Sequence, residues 1–195
     1  CDAVVVGEAE ESWPRLIADF RRGNLARIYK QENFTPPEEI PPARREIYRS
    51  QDYFPIDSLQ ATRGCPHLCE FCSVRRFFGG TYRYRPLDAV IEEINSLRHK
   101  VIMFTDDNIV GHPRYSRQLL EALIPLRKWW VGQASLAGLE DEEKIKLMAK
   151  SGCKGLLIGF ESISEKNIKA SRKYQNRPAD YLKIIRNLHR HGIAI

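Results

Sequence analysis

From residue 56 onward the chain alternates short, mainly apolar runs with longer stretches whose apolar residues recur at helical spacing. This alternation limits the folds open to it. The short runs are SLQAT, VIMFT, WWVGQAS and GLLIGF, and IAI opens another at the end. Between the first two, PLDAVIEEINSLRH carries Leu87, Val90, Ile91, Ile94 and Leu97 on one helical face. RYSRQLLEALIPL and EDEEKIKLMAKSG read as the next helices, the second stopped by Gly152. PADYLKIIRNLHRHG reads as the last, with Pro178 near its start and Gly192 at its end. Such alternation implies parallel strands joined by right-handed helical crossovers. Apolar strands fit a sheet covered on both faces. An open doubly wound sheet and a (β/α) barrel both satisfy the pattern. Either gathers the strand-to-helix loops at the C-terminal edge of the strands, where ligands bind.

The preceding residues read differently. DAVVVGEAE is a β-branched run ending in glycine, a buried strand. SWPRLIADFRRG is a helix with Ser12 as N-cap, Pro14 in the first turn and Gly23 as stop. From Asn24 to Pro55 the periodicity fails, and Pro36, Pro37, Pro41 and Pro42 fix an extended path. The expected organisation is therefore the tail of one α/β domain at residues 1–23, a proline-rich linker at 24–55, and the core of a second domain at 56–195. A start at Cys1 and a stop within HGIAI read as an internal fragment of a longer protein. With 43% apolar and 29% charged residues the composition is that of an ordinary soluble protein. No apolar run approaches the roughly 20 residues needed to cross a bilayer.

The first strand of the alternating region runs straight into RGCPHLCEFCSVRRFFGG. Five cysteines, with Cys65, Cys69 and Cys72 bunched, are not the spread framework of a disulfide-rich secreted domain. They point to metal or cluster ligation in a reducing, cytoplasmic compartment. Thiolates suit zinc or iron–sulfur clusters. A structural zinc site closes with four ligands; Cys1 and Cys153 are remote, and His67 sits awkwardly between two of the cysteines. A cubane [4Fe–4S] cluster takes one cysteine per iron, so three leave the fourth iron open to a small molecule. Zinc remains the second reading. Arg63, Arg75, Arg76, Arg83 and Arg85 surround the cysteines in a chain of net charge +6. They form either a solvated basic face or a pocket for an anionic group or nucleic acid.

The spacing CxxxCxΦC, with Phe71 as the aromatic, resembles the signature of the radical S-adenosylmethionine (SAM) superfamily. There it lies after the first strand of a partial (β/α) TIM-like barrel. The resemblance implies a [4Fe–4S] cluster held by Cys65, Cys69 and Cys72, with SAM chelating the open iron. It implies reductive cleavage of SAM to a 5′-deoxyadenosyl radical, fed by an electron donor such as ferredoxin or flavodoxin. It further implies SAM contacts at Phe71, at Asp106 or Asp107 of FTDDN, at Gln133 and Ser135, at Glu161 of GFES, and at Lys173. Two of these have a plainer alternative: Asp106 or Asn108 as a helix cap, and Gln133 and Ser135 as ordinary strand-end polarity. Arg83 and Arg85, two apart, would point the same way, toward cofactor, substrate or solvent.

DAVVVGEAEESW, the proline-broken linker, LQATRGCPHLCEFCSV and FTDDN together resemble the radical SAM subfamily with an N-terminal cobalamin-binding domain. That implies cobalamin as a further cofactor, an α/β (Rossmann-like) domain ending at residues 1–23, and methyl transfer to a lipid or other small molecule. The Asp-x-His-x-x-Gly motif of many cobalamin binders is not in this chain. Competing expectations are RNA methylthiolation and a non-catalytic zinc or iron–sulfur module. A small-molecule substrate is expected and a nucleic-acid partner is not.

Overall fold

The computed structural model describes residues 1–49 and 52–195, which fall into two units, Cys1–Pro42 and Ala43–Ile195. In the first, β1 (Val4–Val6) and β2 (Ile28–Lys30) pair in parallel, Val4 opposite Ile28, with α1 (Ser12–Arg21) as the crossover. Tyr29 of β2 is buried. Its hydroxyl donates to Asp19 Oδ2 at 3.0 Å and accepts from the Ala26 amide at 2.9 Å, which ties the strand to the helix. β2 lies inside the stretch read as linker; a three-residue strand is too short to show a period, and its partner is distant in sequence. The prolines act after β2, where Pro37 begins a short 3₁₀ turn. Ser12 is the first helical residue, not the cap, and its hydroxyl donates back to the Glu8 carbonyl at 3.2 Å.

The second unit carries β3 (Ile56–Leu59), β4 (Thr62–Gly64), α2 (Ser73–Phe78), β5 (Tyr82–Tyr84) and α3 (Leu87–Ser96). β6 (Val101–Phe104), α4 (Pro113–Leu123), β7 (Trp129–Ala134), α5 (Glu142–Lys150) and β8 (Cys153–Ile158) follow. α6 (Glu165–Ala170) and α7 (Tyr181–Arg190) complete it. The main sheet has the order β3-β6-β7-β8, all parallel. Every new strand adds on the same side, and Ala194 bridges Gly155 of β8 in parallel to continue the series. A doubly wound sheet reverses direction at a switch point; this one does not, which decides for a partial (β/α) barrel.

The core lies between this sheet and its crossover helices. Val90 and Ile94 of α3, Leu119 and Leu123 of α4, and Ile145 and Met148 of α5 are essentially inaccessible, as the 3.6-residue apolar period requires. Trp130 is fully buried; its indole N–H donates to Ser151 Oγ at 3.0 Å and its ring meets Phe104 edge-on at 5.6 Å. A buried indole needs such a partner, because an unmet donor in the interior costs about 1–3 kcal/mol.

SLQAT does not form one strand. β3 ends at Leu59, and Thr62 opens β4, which pairs antiparallel with β5 (Thr62 opposite Tyr84, Gly64 opposite Tyr82). The hairpin turns Arg85 inward. Its Nη1 donates to Glu93 Oε2 at 2.6 Å and to the Gln60 carbonyl at 3.0 Å, while Arg45 Nη1 meets Glu93 Oε1 at 2.7 Å. Arg45 also donates to the Ser58 carbonyl. Arg85 is thus a structural ion-pair partner, and it does not point with Arg83, which is half-buried with its guanidinium 5.7 Å from the Phe78 ring centroid.

Candidate functional site

The cysteine loop leaves the β4–β5 hairpin at Gly64. This residue has φ +88°, and a Cβ there would overlap the Thr81 carbonyl oxygen, so only glycine lets the hairpin close. The loop's entry is fastened by the two aspartates that follow β6. Asp106 is fully buried and accepts from the Ala61 amide at 3.1 Å, the Thr62 amide at 2.5 Å and Thr62 Oγ1 at 2.6 Å. Asp107 Oδ2 accepts from the Gly64 amide at 3.0 Å. The sequence offered Asp106 as a cofactor contact, but its oxygens are engaged by the chain itself in a closed pocket, so its work is to hold the loop.

Burial pushes the Asp106 carboxyl up to about 6, against the lowering effect of its hydrogen bonds from Thr62 and Ala61. The folded state therefore keeps a proton that the unfolded chain releases nearer 3.8, and stability falls as pH rises between those values. Asp106→Asn is expected to remove that falling limb. At pH 7 it should cost about 1–3 kcal/mol, since its amide sets a donor against backbone donors. Denaturation curves at pH 4.5 and pH 7 check both; equal losses at the two pH values would contradict the assignment.

All three cysteines of the loop are free thiols, Cys69 buried and Cys65 and Cys72 half-buried. Asn108 Nδ2 donates to Cys65 Sγ at 3.6 Å, and Gln175 Nε2 donates to Cys69 Sγ at 3.4 Å. Asn108 also donates to Ser135 Oγ at 3.2 Å, accepts from the Ser135 amide at 3.0 Å, and receives the Tyr82 hydroxyl on its carbonyl at 2.9 Å. His67 Nε2 lies 3.1 Å from Ser135 Oγ. Its pKa is lowered by burial and by the Lys173 ammonium, which favours the neutral ring. Burial raises the Cys65 thiol. Among the described residues no three His, Cys, Asp or Glu side chains converge on a single-ion site.

The loop after β8 supplies the charged part. Glu161 sits at φ +61°, a left-handed conformation costly for a side chain of this kind. Asn176 Nδ2 holds it there by donating to the Gly159 and Phe160 carbonyls at 2.9 and 3.0 Å; the Tyr181 hydroxyl donates to the Phe160 carbonyl at 3.1 Å. The bent backbone aims Glu161 Oε1 at Lys173 Nζ, 2.7 Å away. A side chain at Gly159 would collide with both groups. Lys173 is 8% exposed and its ammonium stands 5.7 Å from the ring centroid of Phe71, itself 58% exposed. The Glu70 amide donates to the Ser171 carbonyl at 3.0 Å, joining this loop to the cysteine loop.

Cys65, Cys69, Phe71, Ser135, Glu161 and Lys173 are therefore linked through one network at the C-terminal edge of the sheet. Cys72 closes the loop as the residue before α2. Gln133 lies near the C-terminal end of β7, and Ser135 is the first residue past that end. Asp107 is half-buried, its carboxyl raised by burial. Asn108 and Gln175 were not singled out as site residues by sequence; Asn108 read as a helix cap, and no spacing signal marks Gln175.

A profile of the Radical SAM superfamily matches residues 59–195. The chain belongs to that superfamily. It is 33% identical to the bacteriochlorophyllide d C-12(1)-methyltransferase of Chlorobaculum tepidum over 100% of this chain and 45% of that protein. It is 28% identical to the hopanoid C-3 methylase of Methylococcus capsulatus over 88% of this chain and 37% of that one. The chain thus spans less than half the length of these curated relatives. Among solved structures, the cobalamin-dependent S-adenosylmethionine radical enzyme OxsB with aqua-cobalamin and S-adenosylmethionine bound superposes with a TM-score of 0.74 at 16% identity, over 96% of this chain and 32% of that one. This agrees with the partial barrel. Membership of the superfamily brings a [4Fe–4S] cluster and SAM as cofactors. The donor set fits the cluster: three free thiols on one loop, two of them already receiving side-chain N–H donors.

Proposed function

We propose that this chain is the core of a cobalamin-dependent radical SAM methyltransferase acting on a lipid or other small hydrophobic molecule, with Cys65, Cys69 and Cys72 holding the cluster. The observation that carries the reading is the pair of amide donors, Asn108 and Gln175, aimed at the Cys65 and Cys69 sulfurs from two different loops. Hydrogen bonds to ligand sulfurs are how a protein tunes such a cluster. The chemistry supplied by the bound cluster is one-electron reductive cleavage of SAM to a 5′-deoxyadenosyl radical, fed by a small carrier such as ferredoxin or flavodoxin.

The chain's own residues bind and orient. Lys173 and Glu161 place a fixed positive and a fixed negative charge 2.7 Å apart beside Phe71, a match for the carboxylate and ammonium of an amino-acid zwitterion. The SAM methionyl group would displace their mutual contact and take one partner each. Asp107 stands near the same edge. Gln133 and Ser135 serve the ribose hydroxyls. The parallel β-α-β arrangement of residues 1–42 supports assigning it to the end of a cobalamin-binding-type domain. The names of the relatives favour an apolar substrate over RNA. Among the described residues no helix is long and apolar enough to cross a membrane.

Anaerobic reconstitution of the full-length protein tests this. About four irons per chain, 5′-deoxyadenosine on reduction with SAM, and binding of added hydroxocobalamin are expected. A colourless protein carrying zinc would overturn it, and cluster without cobalamin would remove the methyltransferase half.

A further inference from the structure

We infer that Gln175 sets the reduction potential of the cluster by donating its side-chain amide to the Cys69 sulfur, an assignment that rests on the reading of Cys69 as a cluster ligand. The two residues are 106 positions apart, yet Nε2 lies 3.4 Å from Sγ. Cys69 is the most buried thiol of the loop at 7% exposure, which leaves little room for water to act as the donor instead. The amide is held from both sides. Its own loop is pinned by the Lys173 amide on the Ile168 carbonyl at 3.1 Å and by Asn176 on the β8 turn. The cysteine loop is tied to the same segment by the Glu70 amide on the Ser171 carbonyl at 3.0 Å.

A ligand sulfur gains negative charge when one electron enters the cluster from an external one-electron carrier. A fixed N–H donor favours that more negative form over the oxidised one, so it raises the potential. In a desolvated setting the preference is larger than in water. Gln175 thereby keeps the cluster reducible by its carrier. Asn108 makes the corresponding bond to Cys65 at 3.6 Å, but it also braces Ser135, so Gln175 is the cleaner probe.

The experiment is a dithionite titration of the anaerobically reconstituted full-length protein, followed by the electron paramagnetic resonance signal of the reduced cluster. Gln175→Leu removes the donor; Gln175→Glu keeps the shape and reverses the electrostatics; Gln118→Leu, an exposed amide on α4, is the control. Gln175→Leu is expected to lower the reduction equilibrium constant about tenfold, a 59 mV downward shift for one electron. Gln175→Glu should shift it further and Gln118→Leu not at all. An exchangeable-proton coupling seen in the parent should be lost in Gln175→Leu. Iron-loaded Leu and Glu variants titrating with the parent would overturn the proposal. So would loss of iron in both, or loss in Leu with a parental potential in Glu, since each makes the contact purely structural. Loss in Leu with a lowered potential in Glu supports it. A parent that binds no iron overturns the ligand reading itself, and iron analysis shows this before any titration.

Discussion

Single replacement of Cys65, Cys69 or Cys72 by alanine is expected to drop 5′-deoxyadenosine formation below detection and to deplete iron, whereas Cys153→Ala keeps both. The loop thiols stand at the C-terminal edge of the sheet, where Asn108, Gln175, Lys173 and Glu161 converge. Cys153 opens β8 and is buried in the core, 1% exposed, with its thiol pushed up to about 12 by burial. β8 has six residues, so roughly 20 Å of strand separates its start from the loops at its far end. Iron analysis and product chromatography on the four variants decide the matter. Equal loss in all four would mean the ligand set is wrong.

The second large effect lies in stability. Glu93 is buried between Arg45 and Arg85, and the three join the segment before β3 and the β5 end to α3. Glu93→Ala strands two guanidinium groups, Arg85 almost fully buried. Breaking a buried pair from one side typically costs about 3–5 kcal/mol. For a unit of this size that corresponds to a fall of roughly 10 °C in melting midpoint. The triple variant Arg45→Met, Arg85→Met and Glu93→Leu should recover much of the loss, because it removes all three charges along with their attraction. Thermal melts of the full-length protein measure both; an unchanged midpoint in Glu93→Ala would show that the triad adds no net stability.

Much of the second unit was legible because its elements are local. The 3.6-residue spacing of Val90 and Ile94, and of Leu119 and Leu123, announces helices whatever they pack against. Glycine stops such as Gly152 act within a few residues of themselves. Some short elements were not legible: β2 and the β4–β5 hairpin depend on a partner strand, and α2 and α6, six residues each, are too short to show a helical period. Arg85 illustrates the limit. Nothing around it distinguishes an arginine that faces an anion from one that meets Glu93 eight positions on; the hairpin decided.

The candidate site divides the same way. Three thiols within eight residues form a local arrangement, and the suitability of soft sulfur for zinc or an iron–sulfur cluster follows from residue type alone. By itself, then, the sequence determined the strand–helix rhythm, the cluster of three thiols and the family to which the chain belongs. Tertiary structure decided the single-direction strand order that makes the sheet a barrel. It also decided that Asp106 fastens the loop, that Glu161 and Lys173 meet, and that Asn108 and Gln175 reach the sulfurs. The physical reason is that a hydrogen bond or an ion pair is a property of distance, and distances between residues far apart in the chain exist only once the core has set them.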